Sequence, residues 1–429
     1  MSPQRRILVS IAVGVGAGLA ANLLGPSLGA PFVGAVGWTV EQVAQPVGQL
    51  FLRLLFLLVV PLLFAALVMG VCELDLKQMG RLGVRMLGYT VLVSGLAVVL
   101  GLVLVNVLQP GRGLGPEVRR LAESGGAGAP AAAPAPEEGQ GTGAASLLVQ
   151  MVPDNPVKAA AEGDMLGLIV FSLLFGAALS VTRTPGAARL REGVQGLYDV
   201  LMRLIDWVLK LAPVGVGALL FAMTAKLGLP ILAQLAAYVG VVVLGLALHM
   251  FGVYSLLLAT LGGMSPLRFF RDTRLAAVTA FSTASSSATL PTALKVAEEN
   301  LGLPPHASRF VLTAGSAMNQ NGTALFEGVT VLFLAQLFEV DLSLGQQVLV
   351  MAVCILAGVG TAGVPAGSLP VIAMILGLVG VPPQGLGLIL GVDRFLDMCR
   401  STVNVVGDLA AAVFVSRGEP GGRREEGGG

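Results

Sequence analysis

The segment "GVDRFLDMCRSTVNVVGDLAAAVF" near the C-terminus sets charged and polar residues into an apolar run. Asp397, Arg400, Ser401, Asn404 and Asp408 follow the spacing i, i+3, i+4, i+7, i+11. At about 100° per residue they share one narrow helix face, and Asp393 extends that face by a turn. A guanidinium presents a planar fork that grips a carboxylate through two bonds. Asp397, one turn from Arg400, can accept an ammonium group. An anion grip beside a cation grip suits an amino acid with a side-chain carboxylate. Asp408, two turns beyond Arg400, can coordinate a small hard cation together with backbone carbonyls. The plain alternative is that Asp397 and Arg400 form an internal ion pair that only fixes packing.

A second stretch, "AGSAMNQNGTALFEG", interrupts an equally apolar region. Asn319, Gln320, Asn321, Gly322 and Thr323 stand in a row, and Glu327 follows within about one turn. Backbone that leaves the helix at membrane depth must be buried in protein or line a watery cavity. The break therefore frees amides and carbonyls for a ligand or an ion. Glu327 is open to two readings, a structural partner or a proton carrier.

The elements that position these residues follow from composition. Of 429 residues, 55% are hydrophobic and 12% charged, and the net charge is +1. The mean hydropathy is +0.84. Soluble domains carry about 25% charged residues, so the expected class is an all-α polytopic membrane protein. No basic stripe with interleaved aromatics points to nucleic acid. Cys72, Cys354 and Cys399 form no CxxC pair, and two histidines, His249 and His306, argue against a histidine metal centre. The basic-then-apolar start resembles a signal peptide, but its length and the many later spans favour a first membrane helix.

Continuous spans are expected near 7–25, 46–71, 82–108, 165–182, 196–224 and 230–262. Beyond them, segments 268–296 and 346–380 are interrupted by "STASSSATLPTALK" and "GVGTAGVPAGSLP". Each arm is about 13 residues, or about 20 Å of helix, too short for a hydrocarbon core of about 30 Å. Two such arms joined by a polar tip read as a re-entrant hairpin. Paired broken segments are the sequence pointer to a transporter's binding site near the midplane, where freed N–H groups suit an anion and freed carbonyls a cation. Ser285 to Ser287 also fit ordinary turn chemistry. Arginines and lysines in the short loops place most of the charge, and both termini, on the cytoplasmic side. Lys77 and Arg81 fall opposite Arg183 unless a span is missed in 26–45. Residues 109–145, with "GAGAPAAAPAPEEGQGTG", are low-complexity and are expected to form an extracytoplasmic, disordered tether. Arg53, Lys210 and His249 are expected at interfaces or snorkelling.

At these residues the sequence resembles the glutamate transporter family, the dicarboxylate/amino acid:cation symporters, in its prokaryotic branch. "SSSATLP" (285–291), "NQNGTAL" (319–325), "GTAGVPAG" (360–367) and "DMCRSTVNVVGD" (397–408) are similar to the first hairpin tip, the break in helix seven, the second hairpin tip and helix eight. "FLRLLFLLVVPLLFAALVMGV" (51–71) is similar to helix two. The resemblance covers nearly the whole chain apart from the 109–145 loop and the tail.

The resemblance implies eight transmembrane helices plus two re-entrant hairpins, in a homotrimer of the prokaryotic inner membrane. Scaffold helices one and two would occupy 1–72, helix three of a sliding transport domain 73–108, and scaffold helices four and five 146–225. The rest of the transport domain would be 226–417, with a disordered tail at 418–429. The transport domain would move as an elevator, with the second hairpin as its gate. A broken fourth helix would repair the charge count. Arg400 would bind the substrate's side-chain carboxylate and Asp397 its amino group. Thr323, Asn404 and Ser401 would add polar contacts. Ser285, Ser286 and Ser287, with backbone near Val364 and Ser368, would serve the main carboxylate. One sodium site would use Asp408 with carbonyls of Gly315, Asn319 and Asn404, and another carbonyls of Gly358, Val359 and Thr361. The partners implied are an acidic amino acid and the membrane lipids. No cofactor is implied beyond Na+ or H+ as coupling ions, and no enzymatic activity.

Departures from the pattern bear on coupling. Asn321 stands where the family's third sodium site has an aspartate, and Thr90 and Val93 stand for its Tyr and Thr, beside Ser94. Gln320 replaces the usual Met, Ala317 the usual Thr, and Ala284 an arginine of many prokaryotic members. Glu327 occupies the position tied to proton coupling in animal members. A carboxyl taken out of water carries its charge at high cost, so Glu327 can load and unload a proton in each cycle. The expected function is uptake of glutamate or aspartate with H+, Na+ or both. Retaining Asp397 argues against a plain C4-dicarboxylate symporter, and retaining Arg400 against a neutral amino acid symporter. An anion-conducting channel is the competing class. An intramembrane serine hydrolase using Ser287 and Lys295 is disfavoured because Pro291 is expected to break the helix between them and no oxyanion-hole motif is present.

Overall fold

The computed structural model describes residues 3–73, 80–113, 152–162, 165–360, 368–382 and 385–420. Most of the 109–145 loop, Lys77, the 361–367 tip with Thr361 and Val364, and most of the 418–429 tail lie outside the described residues. Among the described residues every regular element is helical. Among the described residues five helices are long and apolar enough to cross a membrane: Val9–Leu28, Leu82–Leu108, Lys210–Leu227, Leu229–Gly262 and Leu386–Val415.

The N-terminal half comprises α1 (Pro3–Leu28), α2 (Ala30–Thr39), α3 (Gln45–Leu57), α4 (Val59–Glu73) and α5 (Gly80–Leu108). After the loop come α6 (Pro156–Glu162), α7 (Met165–Val181) and α8 (Pro185–Leu227). Two expectations change here. The span 46–71 is divided at Leu58, and 26–45 holds a further helix, α2, joined to α3 by a wide π-helical turn at Val40–Ala44. The 196–224 span is the inner part of a 43-residue helix. That helix starts where Thr184 caps it, its Oγ1 accepting the Ala187 N–H at 3.1 Å, with Pro185 pre-set in the first turn.

The C-terminal half begins with α9 (Leu229–Ala247), which runs to Gly262 through π-helical stretches at Leu248–Val253 and Leu258–Gly262. Then follow α10 (Pro266–Thr283), α11 (Ser286–Lys295), α12 (Pro305–Met318), α13 (Asn321–Leu337), α14 (Leu344–Gly360), α15 (Ser368–Leu378) and α16 (Leu386–Val415). The paired arms are unequal, 18 and 10 residues in α10 and α11, 17 and 11 in α14 and α15. Pro291 does not break α11, which runs through it. A proline there removes one intrahelical bond, to the carbonyl four residues back at Ser287, without ending the helix. His249, in the first of these π-helical stretches, is fully buried rather than interfacial, edge-on to Tyr254.

The helices pack in two sets. In the first, α1 and α3 lie on α8, and α4 lies on α7 and α8. In the second, α13 is surrounded by α5, α9, α14, α15 and α16, while α10, α11 and α12 also lie on α16. The centre of this second set is buried: of α13's seventeen residues only Gln336 is not. The polar face of α16 and the break before α13 are therefore both inside protein.

Candidate functional site

Helix α12 ends at Met318, and Asn319 and Gln320 leave helical geometry with ψ of 60° and 55°. The restart at Asn321 leaves the first N–H groups of α13 without partners in their own helix. Asn404 on α16 supplies one. Its Oδ1 accepts from the N–H groups of Gly322 at 2.7 Å and Thr323 at 3.4 Å. Its Nδ2 donates to Gln320 Oε1 at 2.5 Å and Thr323 Oγ1 at 2.9 Å. Thr323 Oγ1 in turn donates to Gln320 Oε1 at 3.4 Å. Asn404 is thus a cap borrowed from another helix. Gly322 permits the approach, since a Cβ there would lie 2.8 Å from the Arg400 carbonyl oxygen.

One turn toward the start of α16, Arg400 is 2% exposed and stands 4.3 Å over the Phe326 ring. Its Nε donates to Asp397 Oδ1 at 3.0 Å, its Nη2 lies 2.8 Å from the same oxygen, and its Nη1 donates to Asp393 Oδ1 at 3.1 Å. Arg400 and Asp397 are thus bonded to each other rather than held apart as two ends of a gap. The reason is local: i, i+3 side chains meet on a helix, and a buried charge without a partner is costly. Arg394 completes the cluster by donating to Asp397 Oδ2 at 3.2 Å. Ser401 is buried beside Arg400 in the chain.

On the far side of Asn404, Asp408 is 3% exposed, and its Oδ1 accepts from Asn319 Nδ2 at 2.9 Å. Gly315 closes on it, a Cβ there falling 2.7 Å from that oxygen, and the Gly315 carbonyl accepts the Asn319 N–H at 2.8 Å. Asn319 Oδ1, the Thr90 Oγ1 and the Tyr89 hydroxyl are buried without a hydrogen-bond partner. One carboxylate beside amide, hydroxyl and carbonyl oxygens is a donor set for a small hard cation. Among the described residues no group of three His, Cys, Asp or Glu side chains forms a transition-metal site.

Asn321 points into a different chain of bonds. Its Oδ1 accepts from Ser94 Oγ at 2.7 Å, and its Nδ2 donates to the Tyr254 hydroxyl at 3.3 Å. The Tyr254 hydroxyl itself donates to the Val403 carbonyl at 3.1 Å. Both heads of the amide are therefore engaged by protein.

The turn between α10 and α11 holds Ala284 in left-handed backbone, φ 50° and ψ 40°. Ser285 caps α11 by accepting the Ala288 N–H at 3.2 Å. Ser286 is buried with its Oγ unpartnered, whereas Ser287 is exposed. Ser368, the first residue of α15, likewise has a buried, unpartnered Oγ. Gly358 lies in the last turn of α14, where a Cβ would contact the Gln320 carbonyl oxygen and the Ala324 Cβ at 3.7 Å, and Val359 follows it. Lys295, paired at 3.9 Å with Glu299, is exposed as Ser287 is, so the two form no enclosed dyad. Glu327 is 0% exposed, and neither carboxylate oxygen has a hydrogen-bond partner.

Three participants escaped the sequence reading. Arg394 was legible from its i, i+3 spacing to Asp397. Gln320 as partner of Asn404, and Tyr254 as partner of Asn321, join residues 84 and 67 positions apart, and no local spacing signals that.

Comparison with known proteins places nearly the whole chain in one family. A family model described as the sodium:dicarboxylate symporter family matches residues 4–418. The chain is 33% identical to the proton/sodium-glutamate symport protein of Bacillus subtilis, over 87% of this chain and 86% of that protein. It is 33% identical to the proton/glutamate-aspartate symporter of Escherichia coli, over 89% and 86%. A C4-dicarboxylate transport protein of Deinococcus deserti is 32% identical over 97% and 90%. These relatives are named as transporters rather than enzymes, and the chain, an integral membrane protein by its apolar helices, belongs to the sodium:dicarboxylate symporter family.

Proposed function

We propose that this protein is a secondary active symporter that takes up glutamate or aspartate with H+, Na+ or both. The observation that carries the reading is the dry cluster of Arg400, Asp397 and Asp393 beside the break at Asn319–Gln320. Charges at membrane depth are costly and mark substrate or ion paths. Arg400 takes the substrate's side-chain carboxylate, exchanging an internal partner for an external one. Asp397 takes the amino group. The unpartnered Ser286 and Ser368 hydroxyls and the backbone near Val364 receive the main carboxylate, with Ser285 and Ser287 at the same tip. Thr323, Asn404 and Ser401 line the floor.

Asp408, Asn319, Gly315 and the Asn404 carbonyl hold one sodium ion, and the carbonyls of Gly358, Val359 and Thr361 a second. The third position, around Asn321, Ser94 and Thr90, holds no sodium, because an amide already bonded on both heads offers no charge. Glu327 carries the proton. The relatives named for proton or sodium coupling support both ions as candidates.

The chain works as a homotrimer of eight membrane helices and two re-entrant hairpins per protomer, in a prokaryotic inner membrane with both termini cytoplasmic. Residues 1–72 and 146–225 form a scaffold, and 73–108 with 226–417 a transport domain that slides as an elevator. The closer packing of α1, α3, α4, α7 and α8 on one another than on the set around α13 supports this division. A second reading, uptake of C4-dicarboxylates, is favoured by the Deinococcus relative's name and by the arginine already seated on Asp397.

The test is uptake of labelled glutamate, aspartate and succinate into proteoliposomes under separately imposed sodium and proton gradients. Saturable accumulation of an acidic amino acid above its equilibrium level supports the reading. Passive anion flux without accumulation replaces it with a channel.

A further inference from the structure

Asp397 has more partners than an amino-group receptor can keep. Its Oδ1 is held by Arg400 through two nitrogens, and its Oδ2 by Arg394 Nη1 at 3.2 Å. The two arginines are not equivalent. The Arg400 side chain is 3% exposed, is stacked on Phe326, and is also bonded to Asp393. Withdrawing it would strand Asp393 and leave Asp397 with Arg394 alone. The Arg394 side chain is 24% exposed and makes a single bond to Asp397, one turn along the same helix. It can swing away at smaller cost than Arg400, because it is already partly exposed and gives up one bond rather than several.

We propose that Arg394 is a specificity-determining residue: an internal cation that competes with the substrate's ammonium for Asp397. An amino diacid displaces it and gives Asp397 a replacement cation. A diacid without an amine has no cation to offer, so Arg394 stays and keeps Asp397 neutralised. Arg394 therefore lowers the affinity for amino diacids and permits amine-free ones. Without it, Asp397, Asp393 and Arg400 leave one uncompensated negative charge, which an ammonium would satisfy and succinate would not. This inference rests on the reading of Asp397 as the amino receptor and names what sets its selectivity.

The test is a pair of binding isotherms, for L-aspartate and for succinate, on the purified full-length protein in detergent, for wild type, Arg394→Gln and Arg394→Lys. In Arg394→Gln the ratio of succinate Kd to aspartate Kd should rise about fivefold, the upper worth of a partly exposed ion pair. Arg394→Lys, which keeps the charge, should stay within about twofold of wild type, a shift below what one ion pair accounts for. If both diacids bind wild type but the ratio is unchanged in Arg394→Gln, or moves equally in Arg394→Lys, the Arg394 assignment falls alone. If wild type binds neither diacid, the transport reading falls, and this inference with it.

Discussion

Two helix interfaces, α1 on α8 and α13 on α16, both set polar side chains among apolar ones, half-buried in the first and buried in the second, and they use them in opposite ways. On α1, Asn22 Nδ2 donates to the Ala225 carbonyl at 3.0 Å, and Ser10 donates to the Pro213 carbonyl. Small residues let the backbones close: a Cβ on Gly18 would collide with Thr224 and with the Phe221 carbonyl. Each of these side chains donates to one backbone carbonyl of the neighbouring helix, and no charge is involved. Around α13 and α16 the polar groups are charged or amide. Several remain unpartnered, among them Glu327, Ser286, Ser368, Asn319 Oδ1, Tyr89 and Thr90. An interface that only holds helices together spends its polar groups on itself. One that leaves acceptors and donors open in a dry interior is built for something else to enter.

That contrast can be broken experimentally. The largest effect should come from Arg400→Cys, which removes charge-assisted bonds to a substrate carboxylate. Half-saturation for aspartate should rise by about 100-fold, while neutral amino acids are spared or improved; unchanged aspartate affinity would refute the role. Glu327→Gln should abolish the part of accumulation driven by a proton gradient and leave the thermal midpoint at its wild-type value, since no protein partner is lost. A wild type that follows sodium and ignores the proton gradient, with Glu327→Gln identical to it, would remove Glu327 from coupling. Asn404→Ala strands the Gly322 and Thr323 N–H groups and Gln320, and should destabilise by about 2–3 kcal/mol, read as a fall in thermal midpoint. Asn22→Ala, the scaffold counterpart, should cost only about 0.6 kcal/mol, the mean worth of an interhelical bond in lipid. If Asn22→Ala proves as damaging as Asn404→Ala, the two interfaces are not different in kind.

Much of this site was legible along the chain. The face of α16 is read correctly because helical spacing is a local property, and Asp393, Asp397 and Arg400 meet within one helix. The break before α13 is read correctly because three amide side chains and a glycine in succession weaken a helix wherever they stand. Segmentation was harder. Pro291 looked like a breaker, yet α11 passes through it, and Leu58 divides a run that looked continuous. Single-residue breaker signals are weak beside the packing that surrounds them. His249, expected at an interface, is instead fully buried against Tyr254, a contact with a neighbouring turn that composition alone does not signal.

The sequence by itself determined that this chain is helical, lives in a membrane, and carries a charged face opposite broken helices. Composition, periodicity and spacing are local, and those conclusions need nothing else. Only the tertiary structure decided who satisfies whom. Asn404 caps a helix 82 residues away, Tyr254 and Ser94 share the two heads of Asn321, and Arg394 takes the oxygen of Asp397 that Arg400 leaves. In a dry interior every polar group must find a partner or stay open to a ligand. Which of the two happens depends on distances that no order of residues contains.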